Sequence, residues 1–248
     1  MKVVIKKDQQ EMGLFAAQEC ARRLREAIVR QGEARLILAT GASQFEVLKA
    51  LCQQEVDWTK VTMFHLDEYV NLPESHAASF RRYLKERFVS HVRLKAAHFV
   101  NGEGDVGKNI AELTVLLRQA PVDVAMIGIG ENAHIAFNDP PADFDTRAAY
   151  IVVDLDEKCR MQQVGEGWFA SFEDVPQQAI SMTVYQIMQS RSIICSVPGP
   201  KKIQAIHDTL TAPGVTNAVP ATVLRNHPDC CLVLDEVSAS GTPAKYLK

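Results

Sequence analysis

The sequence predicts an α/β fold, an open and mainly parallel sheet with helices on both faces. Three observations carry that expectation. Short apolar runs alternate along the chain with segments of helical spacing. The apolar runs are continuous rather than alternating, as in strands buried on both faces. No Gly/Ser- or Pro-rich linker and no internal repeat divides the 248 residues, so one domain spanning 1–248 is expected.

The elements follow in order. Val3–Ile5 is a short β-rich run. Residues 8–30 have helical spacing, with Met12, Phe15, Ala16, Leu24 and Ile28 on one stripe and Gly32 as the stop. Arg35–Ala39 is a buried-strand run, followed by Thr40-Gly41-Ala42-Ser43 and a second helix over 44–54. Val61–Leu66 is a strand ending at Asp67-Glu68, and helices are expected near 77–90 and 105–118. Val122–Ile127 is the strongest strand and runs into Gly128-Ile129-Gly130. Residues 149–153, 192–197 and 230–234 are further strands, and helices are expected over 177–190 and 200–210.

Composition sets outer bounds. Hydrophobic residues make up 47% and charged residues 23%, an ordinary globular balance that excludes a disordered or fibrous chain. The formal net charge of −3 offers no general field for a polyanion, so nucleic acid is not an expected partner. No apolar stretch approaches the ~18 residues that a membrane span needs. The N-terminus lacks a signal-peptide core. The six cysteines are scattered and form no CxxC pair, which points to free thiols in a reducing compartment. A soluble cytoplasmic protein is expected.

In open α/β sheets ligands bind beyond the carboxyl ends of the strands, and four polar segments stand there. Thr40, Gly41, Ala42 and Ser43 join a strand to a helix. Small residues allow close approach of the backbone, and the helix start offers N–H groups and a positive dipole end to an anion. A small-residue turn with Ser43 as N-cap is the plainer reading, and the Gly-Lys-Ser/Thr ending of a P-loop is missing. Asp67 and Glu68 are adjacent carboxylates at a strand end. One of them buried would have its pKa raised and act as a base, and a solvated capping pair is the alternative. The segment Gly128–Pro141 gathers His134, Asn132 and the acids Glu131 and Asp139 after the strongest strand. Histidine titrates near neutrality and suits proton transfer at sugar oxygens. A GxGxxA dinucleotide fingerprint can be drawn through Gly128, Gly130 and Ala133, but Pro140-Pro141 would break the helix it requires. Finally, Pro198-Gly199-Pro200-Lys201-Lys202 places two lysines at a helix start. That is unfavourable with the dipole unless an anion is bound, and solvated surface lysines are the alternative. The remaining histidines show no metal-ligand spacing, and no GxSxG elbow is present. The run Cys159–Phe169 is polar and then aromatic, either a lid over a pocket or a loop on a helix.

Together these segments resemble the glucosamine-6-phosphate deaminase/isomerase family, whose relatives include the 6-phosphogluconolactonases. GIGENAHIAFNDP is similar to the deaminase pattern G-x-G-x-D-G-H-I-A-F-N-E-P, and FHLDEY to M-D-E-Y. The resemblance covers most of the chain and implies a Rossmann-like fold of the sugar-phosphate isomerase type. It implies conversion of an amino-sugar 6-phosphate, glucosamine 6-phosphate first of all, to a ketose 6-phosphate and ammonia, with no metal or organic cofactor. Residue by residue it implies Asp67, beside Glu68, as the base between C2 and C1. It makes His134 the group assisting ring opening and Asp139 its acid partner. Gly130 belongs to the binding loop, Thr40–Ser43 to the phosphate loop, and Lys202 is the phosphate lysine.

The departures are specific. Asn132-Ala133 stands where the family has Asp-Gly, and Asp139 where Glu is commoner. Trp168 lies near an expected phosphate-binding arginine, a role for which Arg160 is the candidate substitute. Related deaminases are often hexamers, which leaves a homo-oligomer open. No allosteric motif of those relatives is found here. Two alternatives remain: a lactonase or another sugar-phosphate isomerase, against which His-Ile-Ala-Phe-Asn argues, and a non-catalytic sugar-phosphate sensor, against which Asp67 and His134 argue.

Overall fold

In the computed structural model, which describes residues 1–247, seven strands form one wholly parallel sheet. Its order is β1 (Lys2–Lys6), β10 (Cys230–Asp235), β9 (Ser192–Val197), β6 (Val124–Ile127), β2 (Ala34–Leu38), β3 (Val61–His65) and β5 (Ala96–His98). Every residue of β2, β6, β9 and β10 is buried. That explains why these strands read as continuous apolar runs.

Successive residues of a strand face opposite sides of the sheet. Leu36 and Leu38 pack with Met12, Ala16 and Leu24 of α1 (Gln9–Gln31) and with Val47, Leu48 and Leu51 of α2 (Phe45–Cys52). Ile37 faces the other layer, where Leu113 and Leu117 of α4 (Val106–Leu117) join Ala205, Ile206 and Leu210 of α7 (Ile203–Thr211). Asp8 caps α1 through its side chain, and Gly32 ends it with φ +83°.

From β2 the chain moves outward through β3 to the edge strand β5. It then returns to the far side of β2 at β6 and continues outward through β9 and β10. The connections after β2 and after β6 therefore leave in opposite directions. A crevice opens between such strands at their carboxyl ends.

A second sheet stands over that edge. It is antiparallel, in the order β4 (Asp67–Tyr69), β8 (Gln178–Met182), β7 (Tyr150–Asp154). Leu66 alone separates β3 from β4, and its carbonyl accepts the Met182 N–H at 3.0 Å. The Tyr150 hydroxyl donates to the His65 carbonyl at 2.8 Å and ties the small sheet to the large one.

The expected helix over 177–190 is corrected here: Gln178–Met182 is a strand, and only α6 (Val184–Met188) is helical. Ile180, Val184 and Ile187 lie at helical spacing and imitate one apolar stripe, but Thr183 caps a new helix between them by accepting the Gln186 N–H. The strand at residues 150–154 belongs to the small sheet, not the large one. Further elements are α3 (Phe80–Leu84), continued as a π turn over Lys85–Val89, α5 (Glu157–Gly165) and α8 (Glu236–Ala239).

Candidate active site

A cavity of about 450 Å³ lies at the carboxyl ends of β2, β6 and β9, where the strand order reverses. Two matching loops form one end. After β2, Gly41 (φ 94°, ψ 166°) leads into a single 3-10 turn, Ala42–Gln44, and then α2. After β9, Gly199 (φ 88°, ψ 169°) leads into the turn Pro200–Lys202 and then α7. Both glycines hold a left-handed φ that favours glycine. Each loop therefore aims a helix start at the same space, where unpaired N–H groups favour an anion. Thr40, Gly41, Ala42 and Ser43 all line the cavity, as do Lys201 and Lys202. Burial lowers the pKa of Lys202, while the nearby carboxylates Glu166 and Glu131 favour its charge.

Asp67 lines the same cavity. It is 6% exposed, and its Oδ1 is buried without a hydrogen-bond partner among the described residues. Burial, helped by the neighbouring Glu68 carboxylate, pushes its pKa up to about 8. Glu68 itself does not line the cavity. Adjacent strand residues point to opposite faces, and Glu68 turns into the protein, where it accepts from Ser79 Oγ, the N–H groups of Tyr69, Phe80 and Arg81, and Arg81 Nε. Its placement corrects the reading of Glu68 as a reacting group. It acts as a fixed charge behind Asp67, with its own pKa raised by burial against those hydrogen bonds.

The loop after β6 builds the third part. His134 Nδ1 lies 2.7 Å from Asp139 Oδ1, and Asn132 Nδ2 donates to the same oxygen at 2.9 Å. Asn132 Oδ1 accepts the His134 N–H at 3.1 Å, so Asn132 braces both partners. Burial favours the neutral Asp139, but the bond and charge of His134 and the bond from Asn132 outweigh it and hold its pKa below the ordinary value. The imidazole lies against Gly130: a Cβ there would stand 2.2 Å from His134 Nε2. Ala133 holds φ +66° to turn the histidine inward, the position at which the family pattern has glycine. His134 and Gly130 line the cavity; Asn132 and Asp139 stand behind them.

Arg160 is not brought to the cavity. Its guanidinium donates to the carbonyls of Phe172 and Val175 and lies 3.9 Å from the Phe172 ring centroid, so the expectation that it contacts phosphate is corrected. Trp168 does line the cavity, but as a wall. Its ring meets Phe45 and Tyr83 edge-on, and Tyr83 donates to the Gly41 carbonyl at 2.8 Å. The cationic side chains of the lining are thus Lys201, Lys202 and, when protonated, His134.

Sequence reasoning did not assign roles to Gln9, Gln162, Gln163 or Glu166, which also line the cavity. Gln9 opens α1, and the helix of a βα unit starts at the carboxyl end of its strand, so the topology alone points to it. Gln162 and Gln163 sit on α5 and Glu166 is its C-cap, all within the run read as a lid or a loop, and all three line the cavity.

Residues 7–232 match the family of glucosamine-6-phosphate isomerases/6-phosphogluconolactonase. A glucosamine-6-phosphate deaminase of Streptococcus uberis is 35% identical over 97% of this chain and 99% of its own length. One of Bacillus cytotoxicus is 35% identical over 90% of this chain and 84% of its own. Among solved structures, a monomeric glucosamine-6-phosphate deaminase superposes with a TM-score of 0.88 at 27% identity, over 97% of this chain and all of the other. A 6-phosphogluconolactonase from Shewanella baltica shares the fold, with a TM-score of 0.77 at 18% identity over 95% and 97% of the two chains. With a family model over most of its length, a relative 35% identical along nearly the whole of both chains, and a deaminase structure that superposes on it, the chain belongs to the glucosamine-6-phosphate isomerase/6-phosphogluconolactonase family.

Proposed function

We propose that the protein converts glucosamine 6-phosphate and water to fructose 6-phosphate and ammonia, in the reducing cytoplasm to which its free thiols point. The observation that carries the reading is a buried, unpartnered Asp67 lining the same cavity as two helix starts suited to an anion.

The two loops and Lys202 hold the phosphate far from the bond changes, so its binding energy orients the sugar. His134, backed by Asp139, relays the proton of the C1 hydroxyl to the ring oxygen, and the ring opens. Asp67 in its ionised form removes the C2 proton and returns it to C1. The amino group is left as an imine at C2, and water hydrolyses that imine to the ketone and ammonia. A carboxylate with a pKa near 8 is a strong enough base for this step and, once protonated, a ready donor for the return.

The test offers two substrates to one preparation. Release of ammonia from glucosamine 6-phosphate, with 6-phosphogluconolactone untouched, is the expected result. Lactone hydrolysis without ammonia would assign the lactonase chemistry instead. Binding of the amino-sugar phosphate without any product would leave a sensor.

A further inference from the structure

Helix α5 and its C-cap contribute Gln162, Gln163 and Glu166 to the lining of the cavity. Near its start, the Cys159 thiol stands beside Asp139. One turn on, Gln163 accepts a hydrogen bond from the Tyr69 hydroxyl at 2.7 Å. Near its end, Glu166 acts on Lys202, and Trp168 beyond it reaches Phe45 behind the phosphate loop. From Cys159 to the C-cap Glu166 the chain advances about 10 Å at 1.5 Å per residue, the order of length of an extended hexose phosphate. Cys159 stands behind the cavity beside Asp139, and Gln163 lines the cavity between that side chain and Glu166, which acts on Lys202.

Gln163 holds the middle. It lines the cavity, is 7% exposed, and its Oε1 is the acceptor of a fully buried tyrosine. Tyr69 lies two residues after Asp67 on β4, so both side chains leave the same face of the strand. A side-chain amide has one acceptor end and one donor end. With Oε1 bound to Tyr69, the donor end is set, and Nε2 donates no hydrogen bond among the described residues, on a side chain that lines the cavity. Aromatic packing of Tyr69 against Phe80, Phe137 and Phe169 holds the phenol in place.

We infer that Gln163 is a specificity-determining residue whose Nε2 donates to a hydroxyl oxygen on the C3–C4 segment of a hexose 6-phosphate, with Tyr69 setting the orientation of the amide. The inference rests on the sugar-phosphate reading above. Glu166 takes no part in it. Its carboxylate is occupied by Gln162 Nε2 at 2.6 Å and Trp168 Nε1 at 3.1 Å.

The test measures binding by calorimetry for glucosamine 6-phosphate and for its 3-deoxy and 4-deoxy analogues in the Asp67→Asn background, which binds without turnover and serves as the parent, and with Gln163→Met or Tyr69→Phe added to it. The parent is expected to bind one deoxy analogue about tenfold more weakly than the full sugar, the size of one lost hydrogen bond. In Gln163→Met that ratio falls to near unity, because the partner is already gone. In Tyr69→Phe the ratio falls part of the way, since the amide is free to turn. A ratio that Gln163→Met leaves intact overturns the inference, as does equal binding of all three sugars by the parent. A packing role for Gln163 would change stability and leave the ratio alone. Binding is read in a background without turnover, so retention of the ratio there while the Asp67-bearing protein releases no ammonia overturns the deaminase reading only. A parent that binds none of the sugars overturns both.

Discussion

His134 and Asp139 meet through a single carboxylate oxygen, Oδ1, at 2.7 Å, and Asn132 donates to that same oxygen. The dyad therefore carries a charge at position 139 and a neutral brace at 132. In sequence, Asn132 stands where the family pattern has an aspartate, which reads as a loss. In the fold it supplies an N–H at a point where a second carboxylate would meet Asp139 head-on.

Asn132→Asp tests that relationship. The new carboxylate would face Asp139 at hydrogen-bond distance, and like charges so close cannot both ionise freely. We expect kcat/KM for ammonia release to fall by about tenfold, the cost of one disrupted charged hydrogen bond. A rise would show that the asparagine is a handicap.

Asp67 links activity to stability with a defined sign. Its pKa is about 8 in the fold against an ordinary 3.8, so the folded protein holds a proton that the unfolded chain releases. The stability that this group contributes is complete below its unfolded value and is lost as pH rises through about 8. Asp67→Asn should therefore gain in melting temperature relative to the parent between pH 5 and pH 9, with the gap widening as pH rises. Over the same range the parent's kcat/KM should climb, because the base works deprotonated. Parallel melting curves for the two proteins across that range would contradict the burial argument.

Lys202→Ala should act on binding. Loss of one charge-assisted contact corresponds to roughly 10- to 100-fold in affinity, so KM should rise by that order with kcat little changed. Raised ionic strength should weaken the parent more than the variant. An unchanged KM would remove Lys202 from the phosphate site.

Ala133 holds φ +66° with its side chain buried. Ala133→Gly relieves a strain on the order of 1 kcal/mol. We expect a higher denaturation midpoint with an unchanged slope in urea. A lower midpoint would show that the methyl group's packing among its apolar neighbours matters more than the turn.

Much of this was legible in the sequence because local chemistry announced it. The strands that read as continuous apolar runs are those buried on both faces, and the loops after Leu38, Ile127 and Val197 fall at their ends. What escaped was decided by distant partners. The three-residue strand Asp67–Tyr69 exists only through its pairing with Ser181, Ile180 and Ala179, more than a hundred positions away. Gln178–Met182 has the spacing of a helix and the partners of a strand. Glu68 looked equivalent to Asp67 until the pleat sent it to the other face, where Arg81 waits. Arg160 offered the right charge near the right place, but two backbone carbonyls claim its guanidinium. Gln163 carries no motif at all, and its amide is oriented by a buried tyrosine distant in sequence.

The most direct measurement is the joint release of ammonia and fructose 6-phosphate from glucosamine 6-phosphate, by the parent and by Asp67→Asn. The account predicts equal amounts of the two products from the parent and no measurable turnover from the variant, which still binds the sugar phosphate. Products in unequal amounts, or full turnover by Asp67→Asn, would contradict it.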